Sequence, residues 1–78
     1  MEKAELHSIR KQFGKRVREL RKARGYLQEA SAHECDIHRT YMGDVERGER
    51  NIALDNIVKI ANALNIELSE LFLGIIRK

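Results

Sequence analysis

The sequence predicts an all-α domain of five helices, on three observations. Apolar residues recur at three- and four-residue intervals along most of the chain. Glycine or aspartate interrupts those stripes at intervals suited to short helices. No useful length alternates apolar and polar residues with the period of two that a strand requires. The 78 residues contain no proline, low-complexity tract, internal repeat or linker, so 1–78 reads as one domain with its core over 13–72.

The first helix is expected over 5–24. Leu6, Ile9, Phe13, Val17 and Leu20 form one apolar stripe. Gly25 then follows a cation-rich last turn, where a helix C-terminal glycine belongs. The second helix, 28–34, is broken at Asp36, because aspartate is among the few residues besides glycine that tolerate left-handed backbone angles. The third covers 39–47 and stops at Gly48. The fourth, 54–64, carries Leu54, Ile57, Val58, Ala61 and Leu64 at helical spacing. The fifth begins near Leu68 and runs towards the end, with Leu68, Leu71, Phe72 and Ile75 inward. That stripe leaves Leu73 and Ile76 over as an exposed apolar patch, and such patches often mark interfaces. Leu71, Leu73, Ile75 and Ile76 are therefore assigned to a homodimer contact through the C-terminal helix.

Helices two and three meet the requirements of a helix-turn-helix. That motif needs a small residue where its helices cross, apolar residues that fix their angle, and a special turn position. Ala32 is the small residue, Asp36 holds the turn, and Cys35, Ile37, Met42 and Val45 are the apolar anchors. These inward assignments leave Arg39, Thr40, Tyr41, Gly43 and Asp44 facing out, at positions that meet base edges in the major groove of duplex DNA. Arg39 suits guanine through two hydrogen bonds, and Thr40 or Tyr41 a thymine methyl or a phosphate. Asp44 suits cytosine N4, and its repulsion of phosphate would help reject wrong sites. Gly43 costs about 1 kcal/mol relative to alanine inside a helix. Either it permits close approach to DNA or it has no functional reason. His38, just before helix three, either caps that helix or bonds a phosphate.

Charge points the same way. The formal net charge is only +3, but Arg10 to Arg24 holds eight basic residues against one acid, Glu19. A basic stripe on one element suits a polyanion such as nucleic acid or a lipid surface, although it also suits a solvated helix face.

The segments FGKRVRELRKARGY, IHRTYMGDVERGERNIAL and IVKIANALNIELSELF, together with Gln28 opening helix two, resemble the Xre/Cro-repressor family. The resemblance covers residues 13–72 and implies a lambda-repressor-like five-helix fold that binds DNA. Within that family, IHRTY…VERGERNI most resembles the controller proteins of restriction–modification systems, small homodimeric regulators that activate or repress their own system's genes. Phage, plasmid and antitoxin-like regulators share much of the motif and stand as the alternative. The resemblance implies an operator with two half-sites as partner, and RNA polymerase as a candidate further one. Gln28 would bond a phosphate and brace the recognition helix. Arg47, Arg50 and Asn51 match positions that grip the backbone, with Arg50 or Asn51 also near bases. Arg21 and Glu46 match a partly buried ion pair between helices one and three. Three residues depart from the pattern. Ser31 replaces a large apolar residue, which predicts looser packing, while Leu27 and Ala53 replace the usual caps of helices two and four.

Other functions fit the residues less well. Cys35 is the single cysteine, so no disulfide forms within the chain, and one thiol suits a reducing compartment. The opening residues carry no apolar run of signal-peptide length, and a soluble cytoplasmic protein is expected. His33, Cys35 and His38 have ligand chemistry for a metal sensor. Yet Cys35 falls at an apolar anchor and His33 turns away from it, so no metal and no cofactor is expected. No Ser/His/Asp or Cys/His set is spaced for catalysis, and so small a chain leaves little room for a cleft. An aromatic platform for RNA is missing, since Phe13, Tyr26, Tyr41 and Phe72 are the only aromatics and two look like core. A membrane-lying helix one would need the stripe that the core uses.

Overall fold

In a computed structural model, which describes residues 2–76, five α-helices follow one another and the described residues form no strand. They are α1 (Lys3–Ala23), α2 (Gln28–Glu34), α3 (Arg39–Glu46), α4 (Leu54–Leu64) and α5 (Leu68–Leu71). No helix among the described residues is long and apolar enough to cross a membrane.

The first four helices end in one way. After each, the backbone turns left-handed at a single residue: Gly25, Asp36, Gly48 or Asn65. The next residue's N–H then reaches back five positions, Tyr26 to Arg21 at 3.1 Å, Ile37 to Ala32 at 2.9 Å, Glu49 to Asp44 at 2.9 Å and Ile66 to Ala61 at 3.0 Å. This closure satisfies carbonyls that a helix end leaves over. It also throws an apolar residue (Tyr26, Ile37 or Ile66) back onto the core in three of the four cases. Asp36 thus sets the sharp turn between α2 and α3 in the way its residue type predicts.

The core is built from Phe13 and Val17 of α1, Ala32 and Cys35 of the α2 region, Met42 and Val45 of α3, Ile60, Ala61 and Leu64 of α4, and Leu71 of α5. Burial holds the Cys35 thiol above its ordinary pKa, a hydrogen bond with Ser31 opposes this in part, and Glu34 nearby adds to the rise. Ser31 itself is buried. The position expected to be loose is therefore closed by a small polar residue that bonds its neighbour, and no buried side-chain nitrogen or oxygen among the described residues lacks a partner.

Several apolar residues sit elsewhere than their spacing suggests. Leu54 is exposed while Ile60 is fully enclosed, so the stripe of α4 is rotated towards Ile60. The fifth helix is only four residues long. A left-handed Gly74 turns the chain back towards α1, where the Gln12 amide donates to the Ile76 carbonyl at 2.8 Å and accepts from its N–H at 3.0 Å. Leu68 and Phe72, expected inward, are consequently surface residues, although the Phe72 ring still lies 5.2 Å from that of Phe13. Leu71, assigned to a dimer contact, is 0% exposed and has no surface to offer a partner. Leu73 and Ile76 remain exposed at 66% and 56%.

Candidate nucleic-acid interface

Helix α3 is mounted on a buried charge. The carboxylate of Glu46 accepts from Arg21 Nε at 2.7 Å and from Arg21 Nη2 at 2.9 Å, and the side chains are 8% and 3% exposed for arginine and glutamate. Arg21 Nη1 also donates to the Tyr26 carbonyl at 2.8 Å, which ties the pair to the end of α1. Gln28 opens α2 and donates its amide to Glu46 Oε1 at 3.1 Å. One carboxylate therefore joins α1, α2 and α3, and two-pronged charged contacts of this kind fix orientation as well as contributing energy.

Glycine sets how closely α1 approaches this assembly. A Cβ on Gly14 would lie 2.2 Å from the Val45 carbonyl oxygen and 2.7 Å from that of Glu46. Helix α1 thus crosses the C-terminal end of α3 backbone to backbone. Gly48 also packs closely on the backbone of Lys11, where a Cβ would fall 2.7 Å from Lys11 Cα.

The outer face of α3 differs in part from the sequence reading. Arg39 and Thr40 are exposed, Tyr41 and Asp44 are half-buried, and Gly43 is buried. Gly43 therefore contributes no reading surface of its own. A Cβ there would lie 3.0 Å from Arg47 Nη1 and 3.4 Å from Gln28 Oε1, so the glycine makes room for two neighbouring polar side chains. Gln28, Arg39, Thr40, Gly43 and Arg47 line one shallow depression with Glu29, which the sequence reading did not single out. His38 caps α3, its Nδ1 accepting from the Thr40 N–H at 3.1 Å. The Tyr41 hydroxyl accepts from the Ala53 N–H at 3.2 Å and so anchors the chain entering α4, where the usual capping side chain is missing. Asn51 is exposed beyond the helix.

Each arginine of this face has a carboxylate beside it. Arg39 pairs with Glu29 at 2.6 Å. Arg47 pairs with Asp44 and Glu49, both at 2.6 Å, and Arg50 pairs with Asp44 at 2.9 Å while lying 4.6 Å over the Tyr41 ring. Glu29 and Glu49 carry no sequence signal for this, since neither spacing nor residue type marks them. Gly14 did carry one: a glycine in the middle of an amphipathic helix is unfavourable unless something lies close by. His33, Cys35 and His38 do not make a ligand set. Cys35 is sealed in the core, and among the described residues no group of three His, Cys, Asp or Glu side chains is placed to hold a metal ion.

Comparison with known proteins agrees with this geometry. The helix-turn-helix family profile matches residues 17–71. The chain is 48% identical over 66 residues to control protein C.BamHI of Bacillus amyloliquefaciens, a match spanning 83% of this chain and 82% of that one. It is 43% identical over 68 residues to control protein C.MunI of a Mycoplasma species, spanning 86% and 92%. Among solved structures, the restriction-modification controller protein C.AhdI of Aeromonas hydrophila superposes with a TM-score of 0.78 at 53% identity, covering 80% of this chain and 94% of that one.

Proposed function

This chain belongs to the helix-turn-helix family of DNA-binding transcription regulators, which are not enzymes, and on that premise we propose that it is a cytoplasmic restriction–modification controller acting as a homodimer on palindromic operators. One observation carries the reading. The N-terminal half of α3 presents polar side chains to solvent while its inner face is locked to α1 and α2 through Glu46. A rigidly mounted helix with exposed polar residues at its start is what major-groove readout requires. In this reading Arg39, Thr40 and Tyr41 meet base edges. Gln28, His38, Arg47, Arg50 and Asn51 meet the backbone. The names of the similar control proteins favour a controller over a phage or plasmid repressor. RNA polymerase is a further partner in this reading where the bound dimer activates.

Two substitutions separate the roles. Arg39→Ala should cost about 1–3 kcal/mol on the preferred duplex and relax preference at one base pair. Arg47→Ala should instead weaken binding to all sequences and flatten the salt dependence by roughly one unit of the log–log slope. Fluorescence anisotropy on preferred and random duplexes reads both. Equal losses on the two duplexes for Arg39→Ala would remove it from base reading.

The dimer follows from the C-terminal surface. Leu68, Phe72, Leu73 and Ile76 are all exposed, beyond the core that Leu71 and Ile75 serve. Several exposed apolar residues in one short C-terminal segment favour a self-complementary contact. Such a dimer sets two copies of α3 about 34 Å apart, one turn of duplex. Occupancy would then rise with protein concentration, as dimers accumulate. Ile76→Asp should shift sedimentation at micromolar concentration from dimer to monomer without altering helical content. A monomeric parent protein in the same experiment would refute the interface.

A further inference from the structure

We propose that Asp44 sets the specificity of this protein by competing with DNA phosphates for Arg47 and Arg50, an inference that rests on the DNA-binding reading above. Both oxygens of its carboxylate are engaged, Oδ1 with Arg47 Nη2 at 2.6 Å and Oδ2 with Arg50 Nη2 at 2.9 Å. The residue that the sequence placed at a cytosine is thus a fork holding two backbone-gripping arginines to α3.

Exposure decides which ion pairs of this face matter. Arg39–Glu29 and Arg47–Glu49 have both partners more than half exposed, where water and salt leave a pair little strength. Asp44 is only 22% exposed, against 57% and 44% for its two arginines. Its surroundings also restrict the arginines. The Arg50 guanidinium carbon lies 4.6 Å over the half-buried Tyr41 ring, whose hydroxyl is anchored to the backbone at Ala53. Arg47 occupies the space that Gly43 leaves by having no Cβ.

The fork uses Nη2 of each arginine, and their Nη1 donors take no part in it. A phosphate that meets those donors in place binds without opening the fork. A phosphate in any other register must pull an arginine away from the carboxylate first. Random DNA presents phosphates in every register and offers little besides them. The carboxylate therefore lowers non-specific affinity more than specific affinity.

The test compares the parent protein, Asp44→Asn and Asp55→Asn on two duplexes of equal length. One duplex is selected from a random pool by the parent protein and the other is unselected. Asp55 is exposed on α4 and pairs with neither arginine, so its variant makes the same change in net charge without opening the fork. Asp44→Asn should bind the unselected duplex roughly three- to tenfold tighter, with a smaller gain on the selected one, so that the ratio falls. Asp55→Asn should change either affinity by about twofold at most. Equal gains on both duplexes would overturn the proposal, as would unchanged affinity for unselected DNA. A changed preference at a single base pair alone would do so too, because Asp44 would then be reading a base. Asp44→Ala should repeat the Asn result, which guards against an effect of the amide. A parent protein that does not distinguish the two duplexes would instead overturn the sequence-specific reading itself.

Discussion

Glu46→Ala should lower the free energy of unfolding by about 3–5 kcal/mol, the usual cost of leaving one member of a buried ion pair without its partner. The substitution removes three hydrogen bonds at once, two from Arg21 and one from Gln28. It leaves a guanidinium in a nearly closed site, with the Tyr26 carbonyl as its remaining partner there. A domain of this length has about 4–12 kcal/mol of stability in all, so the loss would take roughly a quarter or more of it. Urea denaturation followed by circular dichroism measures the difference. Replacing both partners, as Arg21→Met with Glu46→Leu, should recover much of it, because no charge is then stranded. A loss below about 1 kcal/mol would mean that the pair behaves like a solvated one.

Gly14→Ala should be comparably damaging, although alanine is the better helix former by about 1 kcal/mol. The added methyl would meet the carbonyls of Val45 and Glu46, which are backbone atoms at the end of α3. No side-chain rotation relieves that contact, so α1 and α3 must move apart, and forced repacking of this kind costs about 1–3 kcal/mol. We expect the upper end of that range, with the angle of α3 disturbed and DNA affinity falling beyond the loss of folded protein. A raised melting temperature would show that the two helices separate without penalty.

How far the sequence could be read follows from what each feature depends on. Helices α2 and α4 have the predicted limits, because apolar spacing and the residues that stop them are local properties. The turn at Asp36 was readable for the same reason. Helix α5 was extended too far because its apolar spacing continues past Leu71, whereas the chain leaves the helix to bond Gln12, sixty-four residues away. Periodicity alone points Leu54 and Phe72 inward, but it does not fix how a helix is rotated against its neighbours. At the interface, the residue types and their exposure on α3 were partly readable. The carboxylates Glu29 and Glu49 were not: Arg39 meets Glu29 only through the packing of α3 beside α2, and Arg47 meets Glu49 across the left-handed turn at Gly48. Gly43 carries a helix-interior glycine signal whose structural reason lies inside the protein. Its missing Cβ accommodates Arg47 and Gln28 within the protein.

Selection of bound fragments from a random duplex library, followed by footprinting at rising protein concentration, bears on the claim that paired copies of α3 read DNA. The expected product is a two-fold symmetric sequence whose half-site centres lie about 10 base pairs apart, protected together over a narrow concentration range. Fragments no more enriched than the starting library, or enriched without symmetry, would contradict it.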